Sequence, residues 1–236
     1  MSRNILITGA TSGIGLETAK YLYSHGERVF LIGRNEKKLK EISDDLGNST
    51  CFVCDLEVTS SIKDIFKYFK EQNIKLDGMI HAAGYAINMP VRSYQVEHLD
   101  RQMKIHYGAF VELCKCFYNR SVSNEYSSIV AISSLASITA RKGSIVYTGS
   151  KSALNAAISV ISKEFTKRHI RVNGIMPAYV DTPMTDGVED LVDLNEVQPF
   201  GLIPPQSIAK ILAFLLSDEA QYITGALIPI SAGMEF

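Results

Sequence analysis

Ile5-Leu6-Ile7-Thr8-Gly9-Ala10-Thr11-Ser12-Gly13-Ile14-Gly15 decides how this chain folds. An apolar strand, Ile5 to Thr8, runs directly into a glycine-rich turn, and an amphipathic helix follows from Gly15 to His25. Such a turn lets the backbone approach a pyrophosphate, which the free amides and dipole of the helix N-terminus stabilise. Gly9, Thr11, Ser12, Gly13, Ile14 and Gly15 are therefore candidate cofactor contacts. The spacing is G-x-x-x-G-x-G rather than the commoner G-x-G-x-x-G. Taken alone it would also serve a tight strand-to-helix turn. Its place at the head of a strand–helix series favours a dinucleotide.

Downstream the same alternation repeats to the end. Strand signals lie at Arg28 to Ile32, Thr50 to Val53, Met79 to His81, Ser128 to Ser133, Arg171 to Met176 and Ala226 to Ile230. Helical signals separate them at Glu36 to Leu46, Ser60 to Gln72, about His98 to Tyr118, Tyr147 to Lys167 and Gln206 to Leu216. Short strands alternating with helices imply βαβ units, and right-handed crossovers place helices on both faces. The expectation is an α/β fold: one doubly wound Rossmann-type domain over residues 1–236, with a seven-stranded, mostly parallel sheet. The one long irregular segment, 183–204, is a candidate substrate-binding lid, because connections of that length are often lids or binding loops. It carries Asp186, Glu189, Asp190, Asp193 and Glu196 without lysine or arginine, so a solvated acidic excursion is the alternative. Val188, Leu191, Val192 and Leu194 within it suit one or two helical turns.

Composition excludes several classes. With 24 basic and 25 acidic residues among 236 and no dense basic run, nothing calls for nucleic acid or an anionic membrane. No apolar stretch approaches a bilayer span, and the N-terminus lacks a secretory signal, so a cytoplasmic protein is expected. Cys51 and Cys54, three apart on a strand, point to opposite faces. Their C-x-x-C spacing therefore does not converge, and Cys114 and Cys116, two apart on a helix, do not face each other. The five histidines show no metal-ligand spacing with one another or with cysteine, so no metal is expected.

Tyr147-Thr148-Gly149-Ser150-Lys151 carries the chemistry. On a helix, positions i and i+4 share a face, which brings the Lys151 ammonium near the Tyr147 phenol. A nearby positive charge lowers a phenol's pKa and makes it a usable proton donor and acceptor. Eleven tyrosines also make one such pair possible by chance, so its companions matter.

Those companions are Thr8-Gly9-x-x-x-Gly13-Ile14-Gly15, Asp55-Leu56, His81-Ala82-Ala83-Gly84, Ser134, Arg171-Val172-Asn173, Pro177-x-x-x-Asp181-Thr182-Pro183 and Ile223-Thr224-Gly225. In this order and spacing the whole chain resembles the short-chain dehydrogenase/reductase superfamily, and in pattern its 3-oxoacyl-acyl-carrier-protein reductase-like subgroup. The resemblance implies NAD(H) or NADP(H) at the C-terminal edge of the sheet and hydride transfer between nicotinamide and a carbonyl or alcohol carbon. It implies that Tyr147 is the general acid-base, that Lys151 holds the ribose hydroxyls, and that Ser134 hydrogen-bonds the reacting oxygen. Asp55 and Leu56 would lie beside adenine, Thr182 beside the carboxamide, with Ala82, Ala83, Gly84, Pro177 and Val180 completing the cofactor contacts.

Cofactor choice follows from the second strand, which ends Leu31-Ile32-Gly33-Arg34. Gly33 stands where NAD users of the family resemble one another in having Asp, and Arg34 suits a 2′-phosphate. NADP(H) is preferred over NAD(H), unless Arg34 is an ordinary solvated arginine. One departure concerns chemistry: His106 stands where the family has an asparagine that holds a proton-passing water. Imidazole both donates and accepts, so His106 either relays protons or is a structural histidine. His81 replaces the asparagine of the family's Asn-Ala-Ala-Gly turn. Arg168 fits one position that recognises acyl carrier protein, but Glu125 occupies the other. That mismatch and the acidic lid disfavour the carrier, leaving a small or medium neutral carbonyl or alcohol with candidate pocket residues Tyr85, Leu135, Ile138, Tyr179, Met184 and Phe200. A homodimer or homotetramer is implied by family members that pair through the fourth and fifth helices, with Ala153, Ala156, Ala157 and Val160 suited to that packing or to the core. A nucleotide-dependent regulatory protein without useful catalysis is the alternative from another class.

Overall fold

Alternate residues of the first strand feed two different cores, and this period of two organises the molecule. In the computed structural model, residues 2–47, 49–187 and 192–236 are described. Strand β1 (Asn4–Thr8) sends Leu6 to one face, where it packs with Phe30, Phe69, Phe110 and Ile158, and Ile5 and Ile7 to the other, with Leu22, Leu31 and Leu212. The remaining strands are β2 (Arg28–Gly33), β3 (Thr50–Val53), β4 (Leu76–His81), β5 (Ser123–Ile132), β6 (Arg171–Pro177) and β7 (Leu227–Ile230). They form one seven-stranded sheet in the order β3-β2-β1-β4-β5-β6-β7, with every neighbouring pair parallel.

One face is covered by α1 (Gly13–Ser24), α2 (Glu36–Asp45) and α9 (Pro205–Leu216). The other carries α3 (Ile62–Glu71), α5 (Ala109–Phe117) and α7 (Ile145–Glu164). Shorter helices are α4 (Val96–Met103), α6 (Ala136–Thr139) and α8 (Leu194–Val197). The winding reverses between β1 and β4, and the crevice beyond the strand ends at such a switch point is where open α/β sheets bind ligands.

Three differences from the sequence reading have physical causes. β5 starts five residues earlier than Ser128: Ser123 pairs with Leu76, but Asn124, Glu125 and Tyr126 carry no apolar signal, and Tyr126 adopts φ 63° beside an irregularity in the register. The long fourth helix is interrupted by a π-helical turn at Lys104–Gly108 between α4 and α5. The mainly irregular 183–204 segment contains α8, capped by the Asp193 side chain; Val188, Glu189, Asp190 and Leu191 lie outside the described residues.

Cys51 and Cys54 do fall on opposite sides of the sheet, and all four cysteines are free. Ala153, Ala156 and Val160 lie toward the outer side of α7, whereas Ala157 belongs to the core. Among the described residues no helix is long and apolar enough to cross a membrane.

Candidate active site

The turn after β1 is shaped by contacts that leave no room for side chains. A β-carbon on Gly9, whose φ is +66°, would lie 2.8 Å from the backbone of Ala82 and Ala83; one on Gly15 would lie 2.3 Å from the Gly9 carbonyl oxygen. Ser12, extended, precedes α1 without a side-chain cap, and the first turn holds no acidic residue. Unfilled N-terminal amides are a ready anion site, so these residues fit a nucleotide pyrophosphate. At the end of β2, a β-carbon on Gly33 would come within 2.7 Å of the Thr11 methyl, so a side chain there would require a shift of its neighbours.

Thr8 and His81 lock the neighbouring strand ends together. The buried Thr8 hydroxyl accepts from the N–H groups of Ala82 and Ala83, both at 3.1 Å, and lies 3.1 Å from His81 Nδ1. His81 Nε2 lies 3.2 Å from the carbonyl of Ile105, which can only accept, so the proton sits on Nε2 and Nδ1 accepts from Thr8. Burial, with the nearby Lys151 charge, pushes the His81 pKa down to about 3, and the ring stays neutral. His81 thus replaces a strand-end amide with both nitrogens satisfied, using a carbonyl within the π-helical turn.

The same turn directs His106 inward. It is fully buried, its Nδ1 is 2.9 Å from Ser150 Oγ, and its ring meets that of Tyr147 edge-on at 5.7 Å. Ser150 donates its own proton to the Tyr147 carbonyl at 2.8 Å, so Nδ1–H is the donor to Ser150 and Nε2 carries the lone pair. Among the described residues Nε2 has no hydrogen-bond partner. A β-carbon on Gly84 would sit 2.5 Å from that nitrogen and 3.8 Å from Lys151 Nζ, so glycine here lets the two face a common space. Burial and the Lys151 charge hold His106 well below the usual histidine range.

Lys151, on the buried side of α7, donates to the Ile132 carbonyl at 2.8 Å. Burial brings its pKa down to about 7. Burial also raises the Tyr147 phenol, and the Ser134 hydroxyl beside it pulls partly back. The expectation that Lys151 depresses the phenol is corrected for the protein alone. The ammonium lies 5.8 Å from the ring centroid, and desolvation of the phenol is the dominant cause of the shift.

These groups line one cavity of about 660 Å³. Gly9 to Gly15, Arg34, Leu56, Ala82, Ala83, Gly84, His106, Ser134, Tyr147, Lys151, Pro177, Val180 and Thr182 all border it apart from Ala10. So do Tyr85, Leu135, Tyr179 and Met184. Two expectations are corrected. Ile138, 51% exposed on α6, and Phe200, 84% exposed, are not lining residues: each points its apolar surface to the outside. Asp55 is exposed beside the cavity, where its carboxylate accepts from the Glu57 N–H at 3.0 Å. Sequence reading missed Arg141, Lys142 and Ser144, which border the cavity from the turn before α7. A basic pair after β5 was their only signal, and nothing local shows that the turn folds inward.

Glu57, also missed, gathers the mouth. It lies 3.9 Å from Arg34, 3.0 Å from Arg101, and accepts from the Tyr85 hydroxyl at 3.1 Å. Arg168 is buried: it donates to the carbonyls of Tyr118 and Ser123, so the basic position read as a carrier-protein contact faces inward. Glu125 pairs at the surface with Arg120 at 3.2 Å. Among the described residues no group of histidine, cysteine and acidic side chains could hold a metal.

Residues 9–235 match a family model described as enoyl-(acyl carrier protein) reductase. Over 235 residues the chain is 31% identical to a 3-oxoacyl-[acyl-carrier-protein] reductase of Rickettsia felis, spanning 97% of this chain and 95% of that one. It is 27% identical to carbonyl reductase family member 4 of Xenopus laevis, over 100% and 99% of the two chains. A crystal structure of a short-chain dehydrogenase/reductase from Brucella melitensis superposes with a TM-score of 0.92 at 25% identity, covering 99% of this chain and 97% of that one.

Proposed function

We propose, on the premise that this chain belongs to the short-chain dehydrogenase/reductase family and is an NAD(P)-dependent oxidoreductase, that it uses NADP(H) to interconvert the carbonyl and alcohol forms of a small or medium substrate. The observation that carries this reading is the convergence of Ser134, Tyr147 and Lys151 with the glycine-rich turn on one cavity.

When bound, the nicotinamide cofactor supplies the hydride. Gly9 to Gly15 and the N-terminus of α1 hold its pyrophosphate, Arg34 its 2′-phosphate, Leu56 the adenine side and Thr182 the nicotinamide side. Ser134 and Tyr147 orient the substrate oxygen, and Tyr147 gives or takes the proton at that oxygen. Lys151, with a pKa of about 7, passes protons on at neutral pH, and the bare Nε2 of His106 accepts from the space over Gly84 that both groups face. Residues 183–204 act as the lid, and the protein works in the cytoplasm as a homo-oligomer that buries the outer side of α7 near Ala156 and Val160. The inward Arg168 supports a substrate that does not depend on a carrier protein at that position.

The test is oxidation of NADPH and NADH at 340 nm across ketones, aldehydes and 3-oxoacyl thioesters. NADPH-dependent turnover that Tyr147→Phe abolishes supports the reading. Turnover that prefers NADH, or that survives in Tyr147→Phe, counts against it.

A further inference from the structure

Among the described residues, those that line the cavity include two arginines and two lysines, Arg34, Arg141, Lys142 and Lys151, and no aspartate or glutamate. Arg34 serves the nucleotide end and Lys151 the reaction centre. Arg141 and Lys142 have no role in the proposed chemistry. They enter from the connection between β5 and α7, alongside Tyr179, Met184 and Met234 and away from the glycine turn.

Arg141 is half-buried, yet among the described residues its polar contacts are neutral. It donates to the Tyr179 hydroxyl, its Nη2 lies 2.8 Å from the Met234 sulfur, and its guanidinium carbon sits 4.6 Å from the Tyr179 ring centroid. Among the described residues neither Arg141 nor Lys142 has an ion-pair partner. A partly desolvated guanidinium held by a phenol and a thioether keeps most of its planar donor fork for an anion.

The turn that presents it is held firmly. Ala140, ending α6, is left-handed at φ 48°, and Gly143 follows at φ 79°. Met89 donates its N–H to the Gly143 carbonyl at 2.6 Å, and the Ser144 hydroxyl donates to the Arg141 carbonyl at 2.6 Å. A left-handed alanine persists only where its surroundings over-determine it. The acidic segment 183–204, which motivated a neutral substrate, contributes Pro183, Met184, Thr185 and Val192 to the described lining and none of Asp186, Asp193 or Glu196.

We infer that the substrate carries an anionic group, a carboxylate or a phosphate, which Arg141 and Lys142 hold at the end of the cavity away from the nucleotide. This rests on the carbonyl-reductase reading and replaces the neutral substrate expected from the sequence with an anionic carbonyl compound. The two sources of charge are a carboxylate on the substrate itself and the phosphate of a pantetheine arm.

The experiment is calorimetric binding to the complex with oxidised cofactor, where no reduction occurs, using two pairs that differ only in charge. One pair is acetoacetate and its methyl ester; the other is S-acetoacetylpantetheine with and without its 4′-phosphate. In at least one pair the anion is expected to bind about 10- to 100-fold more tightly than its neutral partner. Arg141→Gln should abolish most of that preference without weakening the neutral member, Arg141→Lys should restore part, and the exposed Lys142→Gln should cost less. The pair that responds identifies the source of charge. Equal binding of charged and neutral members in both pairs overturns the proposal, as does equal loss for both members in Arg141→Gln. NADPH binding to the same samples, followed by fluorescence, separates the failures. If NADPH binds and no charge preference appears, only the anion site is wrong; if it does not bind, the parent reading fails too.

Discussion

The nucleotide end of the cavity is made of backbone and the substrate end of side chains. Around Gly9 and Gly15 the chain passes itself so closely that no β-carbon fits, and the amides of α1 are left for a ligand. Around Arg141, Tyr179 and Met234 recognition depends on which long side chains three separate connections bring together. A backbone site constrains residue type through sterics, so it marks the sequence with glycines at fixed spacing. A side-chain site tolerates many solutions and marks the sequence with none.

Substitutions can test that contrast, beginning where the ends meet. Tyr147→Phe is expected to lower kcat/KM by about 10²- to 10⁴-fold while NADPH affinity, read by fluorescence titration, stays unchanged. A comparable loss of affinity would mean that Tyr147 holds the nucleotide end rather than doing chemistry between the two. At the backbone end, Gly9→Ala meets both a left-handed φ and the Ala82 and Ala83 backbone, whereas Gly26, also left-handed at +85°, has nothing within 4 Å of its β-carbon. Calorimetric unfolding should therefore show Gly9→Ala losing about 2–5 kcal/mol and Gly26→Ala about 1–2 kcal/mol. Equal losses would remove close approach as the reason for Gly9.

Arg34 is the side-chain exception at the nucleotide end. Arg34→Gln should weaken NADPH about 10- to 100-fold and NADH hardly at all in equilibrium titrations. The Glu57 carboxylate 3.9 Å away competes for that guanidinium, so Glu57→Gln should shift affinity the opposite way, by less.

A pH experiment probes the centre. Lys151 titrates at about 7 in the fold against 10.5 unperturbed, so between those values the unfolded chain binds the extra proton. Stability without cofactor should then rise with pH across that window, by up to about 1.4 kcal/mol per pH unit, and the rise should vanish in Lys151→Met. Thermal melts from pH 7 to 9 read it directly. Below the ordinary histidine range the buried His81 and His106 act with the same sign, since both must charge on unfolding: stability falls as the pH drops toward about 3. The smallest effects belong outside the cavity. Phe200→Ser and Ile138→Ser should leave kcat/KM within about twofold, as surface changes away from special features usually do.

Much of this architecture was legible because it follows from local rules. Alternation at Ile5, Leu6 and Ile7 set two faces, and the reach from Tyr147 to Lys151 is one helical turn. The misses share a cause. Asn124 and Glu125 extend β5 only because Leu76 pairs with Ser123 across the sheet. Arg168 resembles an exposed basic residue until the Tyr118 and Ser123 carbonyls take it inside. The phenol of Tyr147 was expected to be lowered by a neighbouring charge, but its depth reverses the sign, and burial is a property of the packed chain.

By itself, then, the sequence determined the strand–helix order, the glycine turn and the Tyr147–Lys151 pairing, because hydrophobic period, backbone sterics and helical pitch act over a few residues. Only the tertiary structure decided that His106 presents a bare Nε2 toward the space over Gly84, that Lys151 has a pKa of about 7, and that Arg141 joins Tyr179 at the cavity wall. Desolvation and long-range contact depend on what the rest of the chain places nearby, and no local spacing encodes that.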